Sequence, residues 1–298
     1  MSENNTIQIK KDLQQITDML LLNGTLTECP GLVHGKMGIA IFFFHYAQYT
    51  NNMLFADYAM DLIDQILNQL HVNSPANYKK GIAGIGVGFD YMIRNNFLDI
   101  EDDICEDFDG RMYRAVKYDP WQDFSQYNGL TGYGRYWMTR LNFPTPAMQA
   151  RECLTSIVKL IEEHLPDISA EEQIDVYCFL YDLQEISGSD RYTGLLEQCR
   201  RIWGVQSPDL IQAIPRLKES VVGNIARVYL HHRYLHEPIH DNVDITLKQI
   251  PDLEMGKAPV ATGLLNGYAG EGMIRLAALD RANISVSYTH LTLPTIRL

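Results

Sequence analysis

Gly35-Lys36-Met37-Gly38-Ile39-Ala40 opens an apolar stretch, and the same frame returns as Gly81-Ile82-Ala83-Gly84-Ile85-Gly86, Gly129-Leu130-Thr131-Gly132-Tyr133-Gly134 and Gly267-Tyr268-Ala269-Gly270-Glu271-Gly272. Successive first glycines are 46, 48 and 138 residues apart, and 138 is three steps of 46. Two further copies are therefore predicted between 129 and 267. Stepping by 46 lands on Asp175-Val176-Tyr177-Cys178, which has lost both glycines, and on Ser220-Val221-Val222-Gly223, which keeps one.

Within a copy the period is helical. Ile39, Phe42, Phe43, Tyr46 and Ala47 follow Gly35 at the spacing of a helix that is apolar around most of its circumference and hence buried. Asn51-Asn52 then breaks the chain. A second, amphipathic helix follows, with Leu54, Tyr58, Leu62, Ile63, Ile66 and Leu70 predicted on one side and Asp57, Asp61 and Asp64 on the other. No segment alternates with period two, so the fold class is all-α. Six such hairpins predict an α/α toroid, a barrel of inner and outer helix rings, in which the N-terminal helix from Ile7 to Leu22 is the outer partner of the last repeat. An open solenoid of the same hairpins is the alternative. Glycine costs about 1 kcal/mol inside a helix relative to alanine. Its recurrence at Gly35, Gly38, Gly81, Gly84, Gly129, Gly132, Gly223, Gly267 and Gly270 therefore predicts close backbone approach and positive φ where the chain enters each buried helix.

The 298 residues carry a net charge of −12 and are 46% hydrophobic, enough for a sizeable core. The acidic balance argues against nucleic acid or an anionic membrane surface as partner. No apolar run is long enough to span a bilayer. Five cysteines, at 29, 105, 153, 178 and 199, form no CxxC pair and read as reduced thiols of a cytoplasmic protein. Residues 1–285 are read as one domain. The Thr-rich run VSYTHLTLPT opens residues 286–298, which read as a non-native, adaptor-derived tail.

Two motifs are decoys. The acidic segment Asp99 to Gly110 fails as a calcium loop, because Gly110 at loop position six puts Cys105 at position one and Val116 at position twelve. It is predicted instead to be the outer helix of the second repeat. His236-Glu237-Pro238-Ile239-His240 has the zinc-protease spacing, but Pro238 interrupts the helix that would align the two histidines. With His231 and His232 it reads as a helix-end cluster, and His45 and His164 as packed or surface side chains.

The frames Gly31-Leu-Val-His34-Gly35-Lys-Met-Gly38, Gly81-Ile-Ala-Gly84-Ile-Gly-Val-Gly and Gly263-Leu-Leu-Asn266-Gly267-Tyr-Ala-Gly270 resemble those of the lanthionine synthetase C family. The resemblance implies an α/α toroid that acts on a ribosomally made precursor peptide, adding cysteine thiols to dehydrated residues with the help of zinc. It also implies a cysteine two residues before one motif glycine and a Cys-His pair just before the next. Those positions fall on Gln173 and on Lys218-Glu219, so no metal and no zinc cofactor is expected here. The expected role is peptide binding or scaffolding, with a dehydratase or another maturation enzyme as a possible partner. An active cyclase, and an unrelated toroid glycosidase using Asp175 and Glu219, are the alternatives. Converging helix N-termini would offer free N–H groups at one rim, with His34, Lys80, Asn128, Asp175, Glu219 and Asn266 as its side chains. The competing reading has such residues merely capping their helices.

Overall fold

The computed structural model describes residues 3–99, 103–118, 120, 123–141, 143, 146–188, 190–204, 234, 261–265 and 267–280. Among them are ten α-helices and no strand. They are α1 (Glu3–Asn23), α2 (Lys36–Thr50), α3 (Met53–Gln69), α4 (Ile82–Arg94), α5 (Glu106–Lys117), α6 (Leu130–Arg140), α7 (Ala147–His164), α8 (Ala170–Ser187), α9 (Thr193–Trp203) and α10 (Tyr268–Asp280). Glycine-led α2, α4, α6 and α10 are the buried helices of their repeats. Gly223, the histidines of 231–240 and residues 286–298 lie outside the described residues.

The helices fall into two compact units. The first joins both ends of the chain, with α1, α2, α3 and α10. Here α10 packs on α1 and on α2, and α2 pairs with α3. The pairing of the N-terminal helix with the last buried helix is the one the repeat predicts. The second unit runs from His71 onward and sets α4, α6 and α8 side by side, backed by α5, α7 and α9.

Buried ion pairs fix the amphipathic helices on the buried ones. In the first unit, Arg275 of α10 donates through Nε and Nη2 to Asp12 of α1, at 3.3 and 3.2 Å, and through Nη1 to Glu271 at 2.6 Å. In the second, Arg140 of α6 makes a bidentate pair with Asp109 of α5, at 2.9 and 2.6 Å, and another with Asp103. Tyr136 adds its hydroxyl to Asp109 at 2.7 Å. Both arginines are 1% exposed, so each charge depends on its carboxylates. Sequence periodicity gave no warning of either lock.

Three expectations need correcting. Segment 99–110 is not one helix: α5 starts at Glu106, and Asp103 accepts the Cys105 N–H in the turn before it. Its acids Glu106, Asp107 and Asp109 occupy the first turn, where the helix dipole favours them. Leu54 is not on the packed side of α3 but 72% exposed, while Leu62, Ile63 and Ile66 are buried as expected. Finally, Gly35, Gly81 and Gly129 have φ of −132°, −114° and −115°, so positive φ is not why they are glycine.

Candidate functional site

The start of each glycine-led helix is built the same way. The first helical N–H turns back to a carbonyl seven residues earlier: Lys36 to Cys29 at 2.9 Å, Ile82 to Pro75 at 2.9 Å, Leu130 to Asp123 at 2.8 Å and Tyr268 to Ala261 at 2.8 Å. The next N–H repeats this in three copies, from Met37 to Pro30, Ala83 to Ala76 and Ala269 to Thr262. The preceding loop thus folds over the first turn and consumes donors that a helix N-terminus normally leaves open.

That fold-back explains the glycines. A Cβ on Gly35, Gly81 or Gly129 would collide with the carbonyl oxygen of Cys29, Pro75 or Asp123, six residues back. At the second glycine of the frame, Gly38, Gly132 and Gly270 meet Leu32, Gln126 and Leu264 in the same way. A third glycine, two residues further on, receives a ring from a neighbouring buried helix: Gly86 from Tyr136, Gly134 from Phe179 and Gly272 from Phe42. Neighbouring loops are stitched as well, by Lys79 N–H to Tyr127 O at 3.0 Å in the second unit and Leu265 N–H to Val33 O at 3.2 Å in the first.

The fourth repeat departs from this plan. Helix α8 begins at Ala170 on a Ser169–Glu172 capping box, earlier than the step of 46 predicts. Its Phe179 fills the place that Phe42 and Tyr136 fill in their repeats, each seven residues after its first glycine, which aligns Glu172 and Asp175 with the two frame glycines. The register drawn at Asp175 is therefore three residues late. Both carboxylates reach the preceding loop: Phe124 N–H donates to Glu172 at 2.7 Å and Gln126 N–H to Asp175 at 2.9 Å. Where the other repeats use backbone at this junction, repeat four uses acid side chains.

The proposed rim residues consequently have different surroundings. His34 is half-buried, and Lys80 and Asn128 are exposed, each one residue before a glycine N-cap. None of the three caps its helix, because the cap positions are the glycines themselves and carry no side-chain cap bond. Asp175 is in the second turn of α8, 1% exposed and bonded to the Gln126 backbone, so it is not an open carboxylate at a rim. Glu219 and Asn266 lie outside the described residues. Lys36, a buried lysine in the first turn of α2, was not singled out by the sequence. Burial lowers its pKa, against the raising influence of Cys29 and Glu28.

The chemistry of the donor set can be tested against zinc. Gln173 is half-buried, and its amide donates to Ile168 O at 3.1 Å. Correcting the register by three moves the family's thiolate position to Ala170, which has no donor atom at all. Neither fits zinc. Lys218 and Glu219 lie outside the described residues, and among those described no group of three His, Cys, Asp or Glu side chains is placed to hold a metal. Of the five cysteines, all but Cys29 are buried. Burial pushes the thiols of Cys105, Cys153 and Cys199 up to about 12, the reverse of what thiolate ligation needs.

Glycine frames that fold loops over buried helices, repeated with an amphipathic helix after each, define an all-α helical-repeat protein. Residues 1–102, the N-terminal third of the chain through α4, match the family model described as lanthionine synthetase C-like protein. No curated protein matches the chain. No helix among the described residues is long and apolar enough to cross a membrane.

Proposed function

We propose that this chain is a lanthionine synthetase C-like toroid that holds a ribosomally made precursor peptide during maturation without itself using zinc. One observation carries the reading: the thiolate position on α8 is Gln173 or Ala170, and neither can ligate the metal that would activate an incoming cysteine. With the helix N–H groups engaged by their own loops, recognition falls to side chains such as His34, Lys80 and Asn128. The partner is a cytoplasmic peptide substrate, delivered by or shared with a dehydratase.

Purified protein is expected to carry no zinc and to bind a dehydrated, cysteine-containing peptide while every peptide thiol stays free to alkylate. One equivalent of zinc, or thioether formed by the protein, overturns the reading. A second reading, a cyclase working by acid–base chemistry alone, is favoured by Lys36, a lysine buried in the first turn of α2 whose pKa that burial lowers. It requires thioether formation without metal, abolished by Lys36→Met.

A further inference from the structure

Helix α3 packs Ala59, Leu62, Ile63 and Ile66 inward. On its outer side Met53, Met60 and Leu67 recur every seventh residue and are 70%, 40% and 36% exposed. A seven-residue repeat keeps side chains in one stripe along a helix, as in the seam of a coiled coil. Asp57, Asp61 and Asp64 run beside that stripe, all exposed. Asp57 and Asp64 follow Met53 and Met60 by four residues, the flanking position that selects a partner's charge in paired helices.

These acids differ from three that sit beside a basic residue. Asp90 pairs with Arg94, Glu152 with Lys117 and Glu163 with Lys159. Helix α3 contains no basic residue, and no Lys or Arg among the described residues pairs with its three aspartates. An apolar stripe with an unneutralised acidic border is half of an amphipathic interface. Methionine supplies an adaptable contact surface to the other half.

We propose that the outer face of α3 docks a basic amphipathic helix of a partner protein, its apolar residues on Met53, Met60 and Leu67 and its Lys or Arg side chains on Asp57, Asp61 and Asp64. Charge complementarity selects this occupant. A second copy of α3 would set aspartate against aspartate, and an acidic helix would meet the same repulsion. The net charge of −12 adds attraction at a distance for a cationic partner. This surface uses none of His34, Lys80 and Asn128.

The test uses the full chain and two labelled synthetic helices of about 20 residues, with Leu at the seam and either Lys or Glu at its flanks. Fluorescence anisotropy is expected to show the Lys helix binding and the Glu helix at least about tenfold weaker. Met60→Glu, and separately Asp57→Lys with Asp64→Lys, are each expected to weaken the Lys helix by about tenfold or more, and the double reversal to gain the Glu helix. All three positions are exposed, and circular dichroism with a melting temperature confirms the fold. Equal binding of the two helices, or unchanged binding by both variants, overturns the proposal. So does sedimentation showing a dimer that Met60→Glu turns into monomer. Binding is read at α3 with probes that carry no cysteine or dehydrated residue, so failure here leaves the zinc-free peptide-holding reading standing, and the reverse.

Discussion

Gly129→Ala and Gly110→Ala make the same chemical change and should move stability in opposite directions. At Gly129 the new methyl group would lie inside 3.0 Å of the Asp123 carbonyl oxygen, a distance real Cβ atoms essentially never show. The carbonyl belongs to backbone and cannot swing away alone. The loop that must yield also carries Leu130 N–H to Asp123 O at 2.8 Å, Gly129 N–H to Ser125 O at 3.0 Å and Thr131 Oγ1 to Phe124 O at 2.8 Å. Losing one or two of these leaves buried polar groups unmet at about 1–3 kcal/mol each. The stiffer unfolded chain returns only about 0.4–1 kcal/mol. A net loss of about 2–4 kcal/mol is expected. Gly110 sits exposed inside α5 with nothing within 4 Å of its Cβ position, so alanine there should stabilise by about 0.5–1 kcal/mol through helix propensity. Urea denaturation followed by circular dichroism, with the slope checked for constancy, gives both values. If Gly129→Ala costs no more than Gly110→Ala, the loop fold-back is not why the frame needs glycine.

The Arg140 lock predicts both a mutational and a pH effect. Arg140→Met strands Asp103 and Asp109 and should cost about 3–5 kcal/mol by urea unfolding. Burial acts to raise the Asp103 carboxyl, but the hydrogen bonds and charge of Arg140 outweigh it, and the net pKa is lowered. Its stabilising contribution is therefore complete above the unfolded value of about 3.9 and lost as the pH falls through the folded value. Asp103→Asn should flatten that acidic limb of the stability curve. Asp175→Ala should cost about 1.5–3 kcal/mol by removing the acceptor for the buried Gln126 N–H, and Asp175→Asn less, since an amide oxygen can still accept. A thiol reagent at mildly alkaline pH should label native protein at Cys29 first, with Cys105, Cys153, Cys178 and Cys199 labelled only on unfolding. Mass spectrometry counts the adducts, and rapid labelling of a buried thiol would contradict the packing.

The helices of the glycine-led repeats were legible because each writes its start in glycine and its burial in a 3.6-residue period. Gly35, Gly81, Gly129 and Gly267 all mark a helix beginning at the next residue. The reason for those glycines was not legible. Positive φ and steric relief leave the same letter in a sequence, and only the position of a carbonyl six residues upstream separates them. The fourth repeat misled for a related reason. Once both glycines are gone, spacing alone must carry the register, and a helix that begins early shifts it without altering the apolar pattern of Ile174, Val176, Tyr177 and Phe179. Phe179 against Gly134 is a contact between repeats, which no periodicity within one repeat can report.

The loop fold-back changes what the helix N-termini can do. An array of open helix N-termini would draw anions through backbone N–H groups, whatever the side chains. Here the first helical N–H groups of α2, α4, α6 and α10 are already bonded to their own loops, and in repeat four Glu172 and Asp175 bring negative charge to the junction instead. If the chain holds a peptide as proposed, what distinguishes one helix start from the next is the side chain before its glycine, His34, Lys80 or Asn128, rather than its backbone donors. Selectivity must then come from residues that differ from repeat to repeat, while the backbone frame stays constant.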